Sequence, residues 1–385
     1  MKKLTWVILV VVVLGVFFFA MDYLALFKSG VDRGEGLNLL SGEPSYEIEE
    51  MASGLEVPWD IAFTDSTRML ITERPGRVRV VENGELLEEP LHVFSEVSST
   101  GEEGLMGIAV DPSYSTNKFV YLSLAYDGSE GLRVKILRMK DEGNSLSDET
   151  VLLDNIPAAR FHAGSAVDFG PDGKLYVTTG DATNKDYPQD AESLSGKILR
   201  MSSDGTVPED NPIPGSLVYS MGHRNPQGID WHPESGELYE TEHGPSVFDG
   251  PAGGDEVNHI LPGGNYGWPL VSHEESLKGT ISPILLFTPA EAPASAAFYS
   301  GDTIPEFRNN FFFGALKGEG VVRIVLDDSD PDSVLSYEKL EDVDFGRIRA
   351  VVQGPDGALY FSTSNRDGRG DSDPRDDRIF RIKRK

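Results

Sequence analysis

The sequence predicts an all-β protein, a six-bladed β-propeller preceded by an N-terminal hydrophobic segment. Three observations lead to this prediction. A turn-and-strand pattern recurs six times along the 385 residues, stretches with helical periodicity are almost absent, and both ends of the body alternate between apolar and polar residues. Many short strands separated by turns are typical of propellers.

The repeated unit joins one or two apolar residues, a turn built from Pro, Asp or Gly, and an apolar strand. Its clearest copy runs from Val167 to Val177. The six copies begin near residues 61, 108, 168, 229, 298 and 351. These intervals fit propeller blades of ~40–50 residues plus insertions. A sandwich or a pair of barrels would not explain the repeated turn, so six blades around a channel is the simplest interpretation.

The two ends of the body, which we place at residues 46–385, fit the closure of such a ring. Residues 46–51 and 378–382 each alternate with a period of two. In a closed propeller the terminal strands can share one blade, which hides the edges of the sheet.

The N-terminus is organised differently from the body. Two lysines precede an unbroken apolar run from Trp6 to Met21, which predicts that residues 1–26 are a signal peptide or a membrane anchor. The absence of a small-x-small cleavage motif favours an uncleaved anchor. Residues 27–45, rich in glycine, are predicted to be a linker. Lysines before the run predict that the body is extracytoplasmic, either membrane-anchored or secreted.

The overall charge and the cysteine count exclude several classes of protein. The chain has 63 acidic and 34 basic residues and a formal net charge of −29, which argues against binding to nucleic acid. It has no cysteine, so disulfides and thiolate metal sites are excluded. Its seven histidines lack metal-ligand spacing, which argues against a zinc site.

Three polar segments are the best candidates for a functional site: residues 160–164, 222–228 and 242–245. Each places polar or cationic groups beside Gly or Pro and next to a predicted strand, where binding and catalytic loops often lie. His162 in the first segment could act as a general base near neutral pH, with Asp181 as its orienting carboxylate. A hydrogen-bonded loop histidine without a catalytic role is the alternative.

Basic residues near strand ends form a second set of candidates, namely Arg224, Lys317, Arg347 and Arg349. The last two are separated by one residue and would lie on the same side of a strand. In so acidic a chain, such cations predict a site for an anionic ligand, because Arg pairs with carboxylates through two hydrogen bonds. Solvated surface charges are the alternative interpretation.

A third candidate is a calcium site. Gly244, Pro245 and the carboxylate-rich loop over residues 249–256 offer carbonyl and carboxylate oxygens, which calcium prefers. The spacing differs from that of an EF-hand, so the pattern indicates a calcium site only weakly.

Seven motifs taken together carry a family resemblance. In chain order they are Val57-Pro58-Trp59-Asp60, Gly104-Leu105-Met106-Gly107, His162 with Gly170-Pro171-Asp172-Gly173, Gly222-His223-Arg224-Asn225-Pro226-Gln227-Gly228, Glu242-His243-Gly244-Pro245, Asp255-Glu256-Val257-Asn258 and Asn265-Tyr266-Gly267-Trp268-Pro269. The ordered set resembles the soluble PQQ-dependent aldose sugar dehydrogenases of the glucose/sorbosone dehydrogenase family. The resemblance covers about residues 46 to 384, and it implies a six-bladed propeller.

The resemblance implies oxidation of an aldose at its anomeric carbon to a lactone, with PQQ and Ca²⁺ as cofactors. His162 matches the general base that takes the proton of the anomeric hydroxyl, while hydride passes to C5 of PQQ. Asp181 matches the carboxylate that orients this histidine. The carbonyl groups of Gly244 and Pro245 match the ligands of the calcium ion beside the quinone.

The resemblance also assigns the remaining contacts. Glu256 and Tyr266 match a second, structural calcium site, and Glu102 stands where a sugar-contacting glutamine is common. Arg224 and Asn225 match residues that contact the cofactor and its C5 oxygen. The cations that hold the PQQ carboxylates are matched by Lys317, Arg347 and Arg349.

Two other functions stay open from the sequence. A calcium-dependent lactonase or other hydrolase could use the same fold, and so could a non-catalytic propeller that binds carbohydrate or protein. The partners expected of the dehydrogenase are a small aldose, an unidentified electron acceptor and, if the N-terminal segment is uncleaved, the membrane.

Overall fold

A computed structural model describes residues 45–385 and shows six antiparallel sheets, the blades of a propeller. The predicted hydrophobic segment over residues 1–26, and all but the last residue of the predicted linker over 27–45, lie outside the described residues. Within the described part, no helix combines the length and the apolar character needed to cross a membrane.

The first three blades contain strands that follow one another along the chain, after an initial strand β1 (Tyr46–Ala52). Blade 1 consists of β2 (Pro58–Phe63), β3 (Arg68–Glu73), β4 (Arg77–Glu82), β5 (Glu85–Leu86) and β6 (His92–Val93). Blade 2 consists of β7 (Leu105–Val110), β8 (Phe119–Gly128), β9 (Gly131–Asp141) and β10 (Leu146–Pro157), with a short helix α1 (Tyr114–Asn117). Blade 3 consists of β11 (Gly164–Phe169), β12 (Leu175–Thr179), β13 (Lys197–Met201) and β14 (Val218–Met221).

The last three blades follow the same order. Blade 4 consists of β15 (Pro226–Trp231), β16 (Leu238–Glu242), β17 (Asp255–Ile260) and β18 (Leu285–Phe287). Blade 5 consists of β19 (Pro293–Phe298), β20 (Phe311–Ala315), β21 (Val321–Asp327) and β22 (Asp330–Lys339), with a 3₁₀-helix (Pro305–Phe307). Blade 6 consists of β23 (Ile348–Gln353), β24 (Leu359–Thr363), β25 (Ile379–Arg384) and β1.

The two ends of the described chain close the ring. Strand β1 pairs antiparallel with β25, Tyr46 lying opposite Arg384, so the first strand completes the last blade. The innermost strands of the six blades contact one another in sequence around a central channel. All six predicted repeats begin on these innermost strands, which confirms the six-bladed prediction.

Buried hydrophobic side chains fill the space between neighbouring blades. Phe312 from blade 5 packs in one cluster with Phe361 and Phe380 from blade 6. Tyr121 from blade 2 shares another cluster with Val177 from blade 3. Each fully buried Phe contributes ~1.5–3 kcal/mol of hydrophobic stabilisation. The blades are thereby fixed against one another, and the loops at the end of the channel are carried on a rigid scaffold.

Glycines on the inner strands permit the close approach of neighbouring blades. A Cβ atom on Gly107 in β7 would lie 2.5 Å from the carbonyl oxygen of Ser165 in β11. A Cβ atom on Gly228 in β15 would lie 2.6 Å from the carbonyl oxygen of Ala294 in β19. Any larger residue at either position would force the inner strands apart, which explains the small residues within these repeats.

Candidate active site

A cavity of about 770 Å³ lies at the N-terminal ends of the inner strands, where the segments that precede them meet. Most of the residues predicted from the sequence line it together. They are Glu102, His162, Arg224, Gly244, Pro245, Lys317, Arg347 and Arg349. Asp181 and Asn225 are buried behind this wall, whereas Glu256 and Tyr266 belong to a separate buried cluster.

His162 and Asp181 form a buried hydrogen-bonded pair. His162 lies just before β11 and Asp181 just after β12, and the distance from Nδ1 of the histidine to Oδ1 of the aspartate is 2.8 Å. The exposed fraction is 5% for His162 and 1% for Asp181. Because a carboxylate accepts hydrogen bonds, Nδ1 carries a proton, and in the neutral imidazole the lone pair is then on Nε2. This tautomer is the one that a general base requires.

The local backbone explains how this pair is placed. His162 has a φ angle of 62°, in the left-handed region that non-glycine residues rarely adopt. The carbonyl group of His162 also packs directly onto Gly180, at a distance too short for any Cβ atom there. Strand β12 therefore ends close to the backbone of His162. Asp181, which follows Gly180, then lies within hydrogen-bond distance of the imidazole ring.

Trp268 completes this arrangement, although no sequence pattern connects it with Asp181. Its indole Nε1–H donates to Oδ2 of Asp181 at 2.8 Å, and the backbone N–H of Thr183 donates to Oδ1 at 2.7 Å. Both carboxylate oxygens are thus held by donors. The motif over residues 265–269 is part of the family resemblance, but a contact between side chains 87 positions apart depends on how blades 3 and 4 pack against each other.

Arg224 and Asn225 have different partners. The Arg224 guanidinium donates to Oδ2 of Asp249 from Nη2 at 2.8 Å and from Nε at 3.0 Å, so its charge is already paired. The side-chain oxygen of Asn225 accepts the backbone N–H of Gly164 at 3.1 Å. Its Nδ2 group is buried and has no partner within residues 45–385, which leaves one amide donor unused.

The three other predicted cations differ in how far their charges are satisfied. Arg347 donates to Asp367 from Nη2 at 2.6 Å. Lys317 is exposed to the cavity and its ammonium group has no partner among residues 45–385. Arg349 is 5% exposed, and its guanidinium lies 3.7 Å from the centre of the Trp59 ring with Nε unpaired. Burial lowers the pKa of Arg349 to about 10, which still leaves it charged at neutral pH.

The cavity is basic although the chain is strongly acidic. Its basic side chains outnumber its acidic ones, in a protein whose formal net charge is −29. The basic residues are Arg74, Arg160, Arg224, Lys317, Arg347, Arg349 and Arg369. The acidic residues are Glu102, Asp255 and Asp367. Arg160 belongs to the candidate segment over residues 160–164, but Arg74 and Arg369 were not predicted, because each lies in a loop that only the fold brings to this cavity.

The predicted carbonyl ligands lie on one side of the cavity. The Gly244 N–H donates to Oδ1 of Asp255 at 2.8 Å, and the carbonyl group of Pro245 accepts the N–H of Gly253 at 3.2 Å. The carbonyl oxygens of Gly253 and Gly254 pack so closely onto Gly244 that no Cβ fits there. This packing fixes the direction of the backbone at the edge of the cavity.

His243 is a cavity residue that we did not assign from the sequence, although it belongs to the motif over residues 242–245. It lies between Glu242 and Gly244, and its Nε2 atom is buried without a partner among the described residues. Burial lowers the pKa of His243, so it is a neutral imidazole at pH 7. A second histidine therefore faces the same cavity as His162.

A cluster of buried acidic groups lies behind the cavity and contains Glu256. The ligand atoms of His223, Glu240 and Glu242 lie within 4.8 Å of one another, a spacing that fits a metal ion. Nδ1 of His223 and Oε1 of Glu240 have no partner within the described chain. Burial and the neighbouring carboxylates raise the pKa values of Glu240 and Glu242, and burial raises that of Glu256 to about 7.

Tyr266, predicted to belong to the same metal site as Glu256, borders this cluster. Its ring stacks on His223 with 4.9 Å between the ring centres, and its hydroxyl group donates to the carbonyl oxygen of His259 at 2.6 Å. Its hydroxyl oxygen is therefore engaged by the backbone. A metal ligand from Tyr266 would have to be its own main-chain carbonyl.

Comparison with known proteins identifies the family. The sequence model described as Glucose / Sorbosone dehydrogenase matches residues 55–372. The chain belongs to the glucose/sorbosone dehydrogenase family. It is therefore an oxidoreductase, and the family resemblance seen in the sequence motifs is confirmed.

Individual relatives agree with this assignment. The PQQ-bound form of an aldose sugar dehydrogenase from Streptomyces coelicolor has a TM-score of 0.77 and 32% identity, over 88% of this chain and 99% of that chain. An aldose sugar dehydrogenase of Escherichia coli K12 is 30% identical over 354 residues, which cover 86% of this chain and 93% of the relative. Quinoprotein glucose dehydrogenase B of Acinetobacter calcoaceticus is 27% identical over 59% of this chain and 53% of its own length.

Proposed function

We propose that this protein is a PQQ- and calcium-dependent aldose dehydrogenase that oxidises the anomeric carbon of its substrate to a lactone. The observation that carries the proposal is the His162–Asp181 pair at a cavity lined by an excess of basic side chains. A base and a polyanion site in one cavity match what such a reaction needs. PQQ in a relative of known structure supports the choice of cofactor.

The residues of the cavity fit PQQ, a flat molecule with several carboxylates. Among residues 45–385, the Lys317 ammonium group and the Arg349 Nε–H group have no partner, so both have donors for a carboxylate. Asn225 has a buried amide donor without a partner. When bound, PQQ would supply a quinone able to accept a hydride from the sugar. Arg224 and Arg347, whose charges are paired with Asp249 and Asp367, would mainly shape the site.

The carbonyl oxygens of Gly244 and Pro245 fit a calcium ion at the edge of the same cavity. Both are neutral ligands, so the ion would need further oxygens from the cofactor. Calcium there would act as a Lewis acid toward the quinone. The buried group of His223, Glu240 and Glu242, beside Glu256, could hold a second ion, because buried carboxylates are unstable as charges without a cation.

His162 would move the proton in this reaction. Its Nε2 atom accepts the proton of the anomeric hydroxyl group, which makes loss of hydride from the same carbon easier. Asp181 stabilises the imidazolium that forms and prevents the ring from turning, since Trp268 and Thr183 hold its two oxygens. The low exposure of the pair keeps water from competing for the proton.

The alternatives from the sequence explain the cavity less well. A hydrolase of the lactonase type needs calcium and water, but it has no use for unpaired cations such as Lys317 and Arg349 around one cavity. A non-catalytic binding propeller has no use for a histidine held in the tautomer of a base. Because one fold can carry many functions, the preference for the dehydrogenase depends on the site residues and not on the fold.

Reconstitution of the purified full-length chain tests the proposal. The protein should reduce a redox dye with glucose only after both PQQ and Ca²⁺ are added, and the first product should be the lactone. The same protein with NAD⁺ in place of PQQ is the control and should be inactive. Sugar oxidation with NAD⁺, or none with PQQ and calcium, would count against the proposal.

Replacing Trp268 with phenylalanine should slow sugar oxidation about tenfold, because Asp181 loses a hydrogen bond and holds His162 less firmly. The loss should fall on kcat, with KM and PQQ affinity nearly unchanged. Trp231→Phe is the matched control, because this tryptophan of blade 4 packs on Tyr176 of blade 3. A structural role alone would lower the unfolding temperature of Trp268→Phe without changing kcat of the folded protein.

Removal of calcium should destabilise the fold, and more so at higher pH. In the fold, the pKa of Glu256 is about 7, above the usual value of 4.5. Protonation of Glu256 therefore stabilises the metal-free fold fully below pH 4.5. This stabilisation is lost as the pH rises through 7. Calcium at about 100 times its Kd should restore roughly 2.7 kcal/mol. The unfolding temperature, measured with a chelator or with calcium at pH values between about 5 and about 8, tests this prediction.

The variant Glu240→Gln is the control for this effect, because it replaces one ionisable group of the cluster without changing the side-chain shape. Its metal-free form should depend less on pH, and calcium should stabilise it less. Unfolding temperatures that respond to neither calcium nor pH would contradict a cation site in this cluster.

An extracytoplasmic location, membrane-anchored or secreted, remains part of the proposal. It is supported by the lysines and the apolar run near the start of the sequence. Protease digestion of intact cells from which the outer layers have been removed would test it. Protection of the full-length chain from the protease would place it in the cytoplasm and contradict the proposal.

A further inference from the structure

Two neighbouring apolar side chains are exposed to water at the mouth of the cavity. Val247 is 87% exposed and Phe248 is 71% exposed, the highest values for large hydrophobic residues within residues 45–385. Both line the cavity, in the loop between β16 and β17 that also carries Gly244 and Pro245. We call Val247 and Phe248 the apolar pair. Adjacent exposed apolar side chains beside a functional cavity usually mark a binding surface.

The loop that carries the apolar pair is held in place by hydrogen bonds. Oδ2 of Asp249 accepts two hydrogen bonds from the Arg224 guanidinium, at 3.0 and 2.8 Å. Oδ1 of Asp249 accepts the backbone N–H of Ser246 at 2.6 Å, and its main-chain carbonyl accepts the ammonium group of Lys185. The residues on both sides of the apolar pair are therefore fixed, and the fold keeps the pair at the surface.

The exposed charges around the mouth of the cavity are basic. Among residues 45–385, the charged residues that both line the cavity and are exposed are Arg160, Lys317 and Arg369. The acidic residues of the lining are buried or half-buried. We call these three cations the basic rim. It contrasts with the chain as a whole, whose formal net charge is −29.

The proposed reaction needs an electron acceptor at this mouth. Oxidation of one aldose to its lactone releases two electrons and two protons. Two molecules of a one-electron acceptor are then reduced, and the two protons pass to water. A folded protein is too large to enter a cavity of about 770 Å³, so a protein acceptor has to dock on the residues around the mouth.

We propose that the apolar pair and the basic rim together dock an acidic redox protein that accepts these electrons. The apolar pair supplies the apolar contact of the interface, and the rim pairs with acidic side chains of the partner. Most of the surface would repel such a partner. Because charges act over only ~8 Å at physiological ionic strength, the rim sets the orientation in which the partner docks. The inference rests on the proposed function.

Plant plastocyanin, an acidic one-electron acceptor, and a basic cytochrome c are the probes that test the inference. Full-length protein loaded with PQQ and calcium and saturated with glucose should reduce plastocyanin with a kcat/KM about tenfold above that for cytochrome c, at ~0.15 M salt. Phe248→Ser should lower kcat/KM for plastocyanin about tenfold, because apolar contact is lost. Cofactor reduction by glucose and reoxidation by a small dye should keep their wild-type rates. Leu335→Ser, at an exposed apolar residue on the outer strand of blade 5, is the matched control.

A second variant keeps the test decisive if Phe248→Ser does not fold. Arg160→Glu reverses one charge of the basic rim and leaves the apolar pair in place. It should lower kcat/KM for plastocyanin about tenfold and raise that for cytochrome c.

Several outcomes would overturn the inference while reduction of the dye by the wild type still supports the proposed function. One is a wild type that prefers cytochrome c, and another is equal kcat/KM for plastocyanin in wild type and both variants. A third is a Phe248→Ser variant that changes the KM for glucose or the oligomeric state but not the reduction of plastocyanin, since the apolar pair would then serve the sugar or a second copy of the chain. A wild type that reduces neither dye nor protein would overturn both proposals.

Discussion

Replacing His162 with alanine should slow the transfer of electrons from sugar to cofactor by ~10²–10⁴-fold, the usual contribution of a positioned base. PQQ and calcium should still bind, because His162 carries no permanent charge and the basic residues of the cavity are untouched. The slower reduction of PQQ should appear when sugar is mixed rapidly with protein that carries PQQ and calcium, in the absence of an electron acceptor. Reoxidation by dye should proceed at the wild-type rate.

His232→Ala is a suitable control for this experiment, because His232 lies on the far side of β15 and outside the cavity. Asp181→Asn should give a smaller defect of the same kind as His162→Ala, since it removes charge support but leaves the imidazole. If His162→Ala is reduced by sugar at the wild-type rate, the base is another group, and His243 would be the next candidate.

Replacing Lys317 with alanine should weaken PQQ binding by about 10- to 150-fold, the loss expected when a charge-assisted hydrogen bond worth ~1.5–3 kcal/mol is removed. Its ammonium group has no protein partner among the described residues, so the substitution breaks no contact within the fold. Turnover at saturating PQQ should change little. Equilibrium titration with PQQ, followed by its absorbance or by fluorescence of the protein, measures the affinity.

Lys278→Ala provides the matched control for Lys317→Ala, because Lys278 is also exposed but lies in a loop outside the cavity. Arg349→Ala should weaken PQQ binding too, although it also removes packing on Trp59 and so tests the charge less cleanly. Equal PQQ affinity in wild type and Lys317→Ala would remove the argument that these cations form the cofactor site.

The repeated turns were enough to predict the fold. Each turn lies at the end of an innermost strand, so a regular local pattern marks every blade. The alternation of apolar and polar residues at both ends of the body predicted that the terminal strands share the last blade. Strand pairing within a blade is local in sequence, and such local signals are the ones that periodicity detects. The hydrophobic segment and the linker are outside the described residues, and their predictions stay untested.

The site was only partly predictable, for a physical reason. His162 and Asp181 could be paired from the sequence because they flank one short hairpin, β11 and β12. Trp268 could not, because its contact with Asp181 joins loops of two neighbouring blades, 3 and 4, and no local sequence pattern marks that contact. The same holds for Glu102 and Arg369, which are 267 residues apart and meet only because the propeller closes.

The buried carboxylates also show what sequence alone leaves out. Glu256 was matched to a metal site through the family resemblance, but Glu240 and His223 had no such signal. Glu240 joins it because β16 and β17 pair antiparallel and Glu242 lies directly opposite Glu256, whereas His223 comes from the segment before β15. Alternating acidic residues on a strand usually face solvent, and only the burial of this face turns them into a candidate cation site.

The most direct test of the central claim is anaerobic mixing of PQQ- and calcium-loaded protein with glucose that carries deuterium at the anomeric carbon. The account predicts that the absorbance of the oxidised cofactor disappears in one phase, with one sugar consumed per PQQ. It also predicts that deuterium at C1 slows this phase several-fold, whereas deuterium at C2 does not. No absorbance change, or a rate unaffected by deuterium at C1, would contradict hydride removal from the anomeric carbon.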